Sequence, residues 1–121
     1  MTTIRTSAAF GAAASLLLLA SQAQAHAHLV KASPGLNAAV GAPQTVLLEF
    51  SEKLEPKFSA IALKTSNGDG VDVASAVNAK DHKAISATPK APLKPGAYMV
   101  MYRVVSADGH ATKGDYTFTV K

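Results

Sequence analysis

A chain of 121 residues without cysteine or tryptophan makes one small domain that disulfides cannot staple. The missing thiols also exclude zinc ribbons and blue-copper sites, so any metal must take nitrogen, oxygen or thioether ligands. Twelve Lys and Arg against eight Asp and Glu give a formal net charge of +4, but the basic residues are scattered without interleaved aromatics, which leaves nucleic-acid binding unsupported.

The chain opens on the pattern of an export signal. Arg5 is followed by an apolar run from about Ala8 to Ala20, centred on Leu16-Leu17-Leu18-Leu19, and Ala23-Gln24-Ala25 forms an A-x-A cleavage site. The run falls short of the roughly 20 apolar residues that span a bilayer. Residues 1–25 are therefore expected to be a signal peptide, and 26–121 an exported, soluble domain of 96 residues. Cleavage there makes His26 the first residue of the mature chain.

From that point short apolar or alternating runs alternate with turn signals, and no 3.6-residue period appears. His28–Ala32 is a first short strand, stopped by Ser33-Pro34-Gly35. Residues 36–43 read as a loop. In Gln44–Ser51, Val46, Leu48 and Phe50 point one way and Thr45, Leu47 and Glu49 the other. After a loop containing Pro56, Phe58–Thr65 forms a strand with Ile61 and Leu63 inward. Asn67-Gly68-Asp69-Gly70 is a turn, since both glycines tolerate positive φ. Val71–Val73 is a brief strand, and a polar stretch through Asn78, Asp81 and His82 leads to a strand near Lys83–Ala87. Pro89, Pro92, Pro95 and Gly96 punctuate a loop. Ala97–Val105 is the longest strand, with Tyr98 and Tyr102 on one face and Met99 and Met101 on the other. Ser106–Lys113 is a loop, and Tyr116–Val120 closes the chain. About seven short strands in under a hundred residues predict an all-β fold, a seven-stranded Greek-key β-sandwich of the Ig-like kind.

Chemistry concentrates in the histidines. Once freed, the α-amine of His26 and its imidazole form one chelating unit. Their reference pKa values, about 7.7–8.0 and about 6.5, let a strongly binding cation displace their protons near neutral pH. Copper(II) heads the divalent affinity order and favours tetragonal nitrogen and oxygen donors. Asp108-Gly109-His110 offers a carboxylate and an imidazole two residues apart, with a glycine that lets the backbone bend around an ion. A Cu(II) site of His26, Asp108 and His110 is the expectation, one ion per chain. His28 is open to two readings. It can be an accessory ligand, because an amine with histidine in third place can wrap Cu(II) through two amide nitrogens. It can equally start the first strand and point outward. Glu52 can orient a ligand from behind the site or be an ordinary solvated acid. His82 reads as a surface residue. Met99 and Met101 could serve Cu(I) as thioethers, but two methionines in a long strand read better as core filler.

The motifs together resemble the periplasmic CopC copper-resistance proteins: the opening His26–Val30, Ser33-Pro34, Phe50-Ser51-Glu52, Lys57-Phe58-Ser59, Leu93–Tyr98, Val104–His110, Gly114, and the Tyr116–Val120 strand. The resemblance implies a cupredoxin-like β-sandwich that binds copper in the periplasm, often beside an inner-membrane CopD-like transporter. It implies a Cu(II) site of His26, Asp108 and His110, with Glu52 near it. Some relatives add a methionine-rich loop for Cu(I). The corresponding stretch here, Lys64–Ala76, has no methionine or histidine, so a Cu(II)-only member is expected; a monomer is the separate expectation for its assembly. A rival function is a copper mono-oxygenase, which also uses an N-terminal histidine brace. The short chain, the missing tryptophan and the anionic Asp108 weigh against it, so a binding protein rather than an enzyme is the expectation.

Overall fold

Alternation along the strands builds the sandwich. In β3 (Val46–Phe50), Val46, Leu48 and Phe50 are buried while Leu47 stays exposed. This is the period-2 pattern of a sheet with one face packed and one face wet. In β4 (Ala60–Thr65), Ile61 and Leu63 point inward as expected. The computed structural model describes residues 26–121, and the expected signal peptide lies outside the described residues.

Nine strands form among the described residues, not seven. The four-stranded sheet runs β1 (Leu29–Ser33), β3, β7 (Ala84–Pro89), β6 (Val73–Val77); the five-stranded sheet runs β2 (Ala39–Val40), β9 (Ala111–Val120), β8 (Gly96–Val105), β4, β5 (Gly70–Val71). Neighbours such as β3 and β7, or β8 and β4, lie far apart in the chain, so the chain crosses repeatedly between sheets.

The two additional strands come from stretches with weak signals. Ala39–Val40 falls in the expected 36–43 loop, yet it pairs in parallel with Thr119–Val120. The brief Val71–Val73 strand is really two. Val71 ends β5 in one sheet and Val73 begins β6 in the other, with Asp72 as the crossing. Val73-Ala74-Ser75-Ala76-Val77 is built from small residues, so its alternation carries little hydrophobic contrast. The expected Ser106–Lys113 loop is also shorter, because β9 starts at Ala111 and pairs along ten positions with β8.

One apolar core fills the space between the sheets. Leu48, Leu54, Leu63, Ile85, Val46, Val100, Val104 and Phe118 are its largest fully buried apolar side chains. Each contributes on the order of 1.5–3 kcal/mol by leaving water. The aromatics interlock, with Tyr98 stacked on Phe118 at 5.8 Å and Phe50 edge-on to Tyr102 at 5.3 Å. The Leu93–Tyr98 motif closes a loop at one end. Leu93 is buried, Gly96 takes φ +142°, and the Tyr98 hydroxyl donates to the Lys94 carbonyl at 2.7 Å. The stretch leading from β3 past Glu52 to Leu54 lies beside the β8–β9 turn, where Leu54 bridges Ser106.

Candidate metal centre

The turn between β8 and β9 is rigidly tied. The Ser106 amide donates to the His110 carbonyl at 2.9 Å, and the Gly109 amide donates to the Ser106 carbonyl at 2.8 Å. Gly109 takes φ +94°, where a side chain would be strained, which is why glycine separates Asp108 from His110. The Ala107 amide donates to the Lys53 carbonyl at 2.9 Å, which fastens the turn to the neighbouring segment.

Inside this turn Asp108 is held as an anion. The Ser106 hydroxyl donates to Asp108 Oδ1, the His110 amide donates to the same oxygen at 3.2 Å, and His110 Nδ1 lies 3.1 Å from it. These contacts, the Ser106 hydroxyl first, hold the carboxyl down at about 2. All three fall on Oδ1, so none of them occupies Oδ2. His110 is likewise engaged through Nδ1, and Nε2 is the nitrogen left for a ligand role. A carboxylate that fixes an imidazole through its other nitrogen is the usual support of a metal-bound histidine.

His26 comes from the far end of the sequence to meet this turn. Its ring stands edge-on to His110, with centroids 4.7 Å apart and planes at 82°. The chain behind it is anchored: Ala27 is 1% exposed, the His28 amide donates to Ser51 Oγ at 2.8 Å, and the Ser51 amide donates to the His28 carbonyl at 2.9 Å. Leu29 then pairs with Phe50 and the strand has begun.

The structure thus brings His26 to His110 and Asp108 to His110, as two pairs sharing one imidazole. Among the described residues no three His, Asp or Glu side chains already face a single point. The donors nevertheless suit a cupric ion, which takes imidazole nitrogen and carboxylate oxygen together. The fourth expected donor, the His26 nitrogen, is a peptide nitrogen until the chain is cut before it.

The remaining candidates separate. Glu52 is exposed and shares a groove with Asp108, Lys53 and Lys83. His28 lies one residue ahead of β1, not in it, and its side chain is exposed. His82 is exposed too, and its carbonyl accepts the Leu54 amide at 2.8 Å. Met99 and Met101 are not core filler. The inward face of β8 is taken by Tyr98, Val100 and Val104, which leaves Met99 exposed and Met101 half-buried on the opposite face. Three residues escaped the sequence reading: Ser106, Ser51 and Ala27. The one local signal for Ser106 was a small hydroxyl two residues before Asp108.

A small two-sheet sandwich with a carboxylate–imidazole turn meeting a histidine from the start of the domain defines a class of β-sandwich metal-binding domains. The CopC domain matches residues 29–121, and the chain belongs to the CopC family. It is 43% identical over 99 residues to Protein YobA of Escherichia coli K12, covering 80% of each chain. It is 40% identical over 110 residues to copper resistance protein C of Xanthomonas campestris pv. juglandis, covering 86% of this chain and 87% of that one. It is 37% identical over 107 residues to copper transport protein CutJ of Bacillus subtilis, covering 87% of this chain but 20% of that longer protein. Among solved structures, PcoC, a methionine-rich copper resistance protein from Escherichia coli, superposes with a TM-score of 0.75 at 39% identity, over 80% of this chain and all of that one.

Proposed function

We propose that this chain is a periplasmic Cu(II)-binding protein, not an enzyme. It holds one cupric ion per monomer and either buffers it or delivers it to an inner-membrane transporter of the CopD kind. The carrying observation is the edge-on contact of His26 with His110 at 4.7 Å, beside a carboxylate locked as an anion. With the amine of His26 freed by cleavage after Ala25, the ion takes amine, two imidazoles and Asp108. Two relatives support copper handling by name, one as a resistance protein and one as a transport protein. Delivery fits CutJ, in which the similar region is 20% of a longer transport protein. A Cu(II)-only role fits a chain with three methionines, of which Met1 lies in the expected signal peptide. Asp108 adds negative charge that favours the higher oxidation state.

The test is the intact mass of the exported protein, with and without copper. The expected result is a chain starting at His26 that gains one copper. Adding one residue before His26 should then weaken Cu(II) binding strongly. Unchanged affinity in that variant removes the amine from the site.

A further inference from the structure

The leading His26-Ala27-His28 offers copper two incompatible geometries. In the folded site, His26 reaches across to His110. In the alternative, the tripeptide wraps one Cu(II) in a plane of four nitrogens: the His26 amine, the Ala27 and His28 amides, and the His28 imidazole. Forming that plane makes four Cu–N bonds and releases the two amide protons to solvent. Both modes need the freed amine, so a choice between them rests on the proposed Cu(II)-binding function.

The structure seals the two amides the wrap requires. The His28 amide proton is held by Ser51 Oγ at 2.8 Å, so the nitrogen that copper would take is already donating. The Ser51 amide returns the contact to the His28 carbonyl at 2.9 Å and extends the pairing of Leu29 with Phe50 down to His28. Ala27, at 1% exposed, belongs to the core cluster, so a metal ion reaches its amide only if the residue is drawn out. The exposed His28 imidazole is the one part of the wrap left available besides the amine.

We infer that Ala27 and Ser51 are positioning residues that keep the opening tripeptide out of the four-nitrogen wrap and thereby set which copper geometry the protein adopts. Ala27 acts through burial and Ser51 through its hydroxyl, and neither touches the ion. Losing one hydrogen bond of ordinary strength should raise the wrapped fraction by up to about tenfold.

The experiment compares Cu(II) spectra of chains whose masses show a start at His26. In the native sequence the visible band and the electron-spin spectrum should be those of a mixed nitrogen–oxygen site, and His110→Ala should alter them. Ser51→Ala should shift the band to shorter wavelength, with the added nitrogen couplings of the wrap and reduced sensitivity to His110→Ala. Ser51→Thr keeps the hydroxyl and should keep the native spectrum. Ala27→Gln is the second route to release. Adding His28→Ala to either released variant should abolish the new species. Native spectra from both Ser51→Ala and Ala27→Gln, with circular dichroism showing folded chains, overturn the inference and leave the proposed site standing. A native-sequence spectrum that ignores His110→Ala but changes with His28→Ala defeats the proposed site itself.

Discussion

Asp108 and Ser106 divide the work of the turn between them. Asp108 was legible as a ligand candidate because Asp-Gly-His places an oxygen and a nitrogen two residues apart. Ser106 was not, because a serine at the end of a strand carries no sign of where its hydroxyl points. Yet that hydroxyl is the leading cause of the low Asp108 pKa. Ser106→Ala should therefore raise the Asp108 carboxyl from about 2 toward its ordinary 3.8, since a donor to the charged form is lost. A carboxyl-carbon NMR titration of the metal-free protein reads this directly. A variant still titrating at the native value would assign the effect to His110 instead. The same blindness hid Ser51 and Ala27, whose roles depend on a segment more than twenty residues away in the chain.

Strands with strong contrast between faces were readable, and strands made of small residues were not. Val46-Leu47-Leu48-Glu49-Phe50 announces its buried face, as does Tyr116-Thr117-Phe118-Thr119-Val120. Ala39–Val40 and Val73–Val77 give no such contrast, and partners elsewhere in the sheets decide their pairing. The β8–β9 hairpin also contains a fitted pair invisible in one dimension. Gly114 sits opposite Tyr102, and a Cβ there would overlap the tyrosine hydroxyl and ring. Tyr102 cannot easily yield, because its ring packs edge-on against Phe50 at 5.3 Å. Gly114→Val should cost about 1–3 kcal/mol by overpacking, read as a lower urea midpoint. Pairing it with Tyr102→Leu should recover part of the loss, because the two substitutions share one space.

The sandwich as a whole was predictable from short alternating runs and turn spacing, although two of its nine strands were not. Its cross-links were not. The Tyr116 hydroxyl donates to the Pro34 carbonyl at 2.8 Å and ties the last strand to the turn after the first. Burial, and next the neighbouring Tyr102, push this phenol from 10.0 to about 12. The folded chain therefore keeps a proton that the unfolded chain gives up. Stability from this group is complete below 10.0 and drains away as pH rises toward about 12. Tyr116→Phe should flatten that alkaline decline in urea midpoints measured across the same window. An unchanged slope would place the proton uptake elsewhere.

His110 stands just ahead of β9, and the ten residues of that strand lead away from it to Val120. At roughly 3.3 Å per residue the far end lies about 33 Å distant. Lys121, whose amide donates to the Val40 carbonyl at 2.8 Å, is pinned there rather than folded back. The candidate metal site and Lys121 thus lie at opposite ends of β9. A reporter group joined beyond Val120 should therefore leave metal binding at the His110 end undisturbed, read as an unchanged copper affinity of the labelled chain.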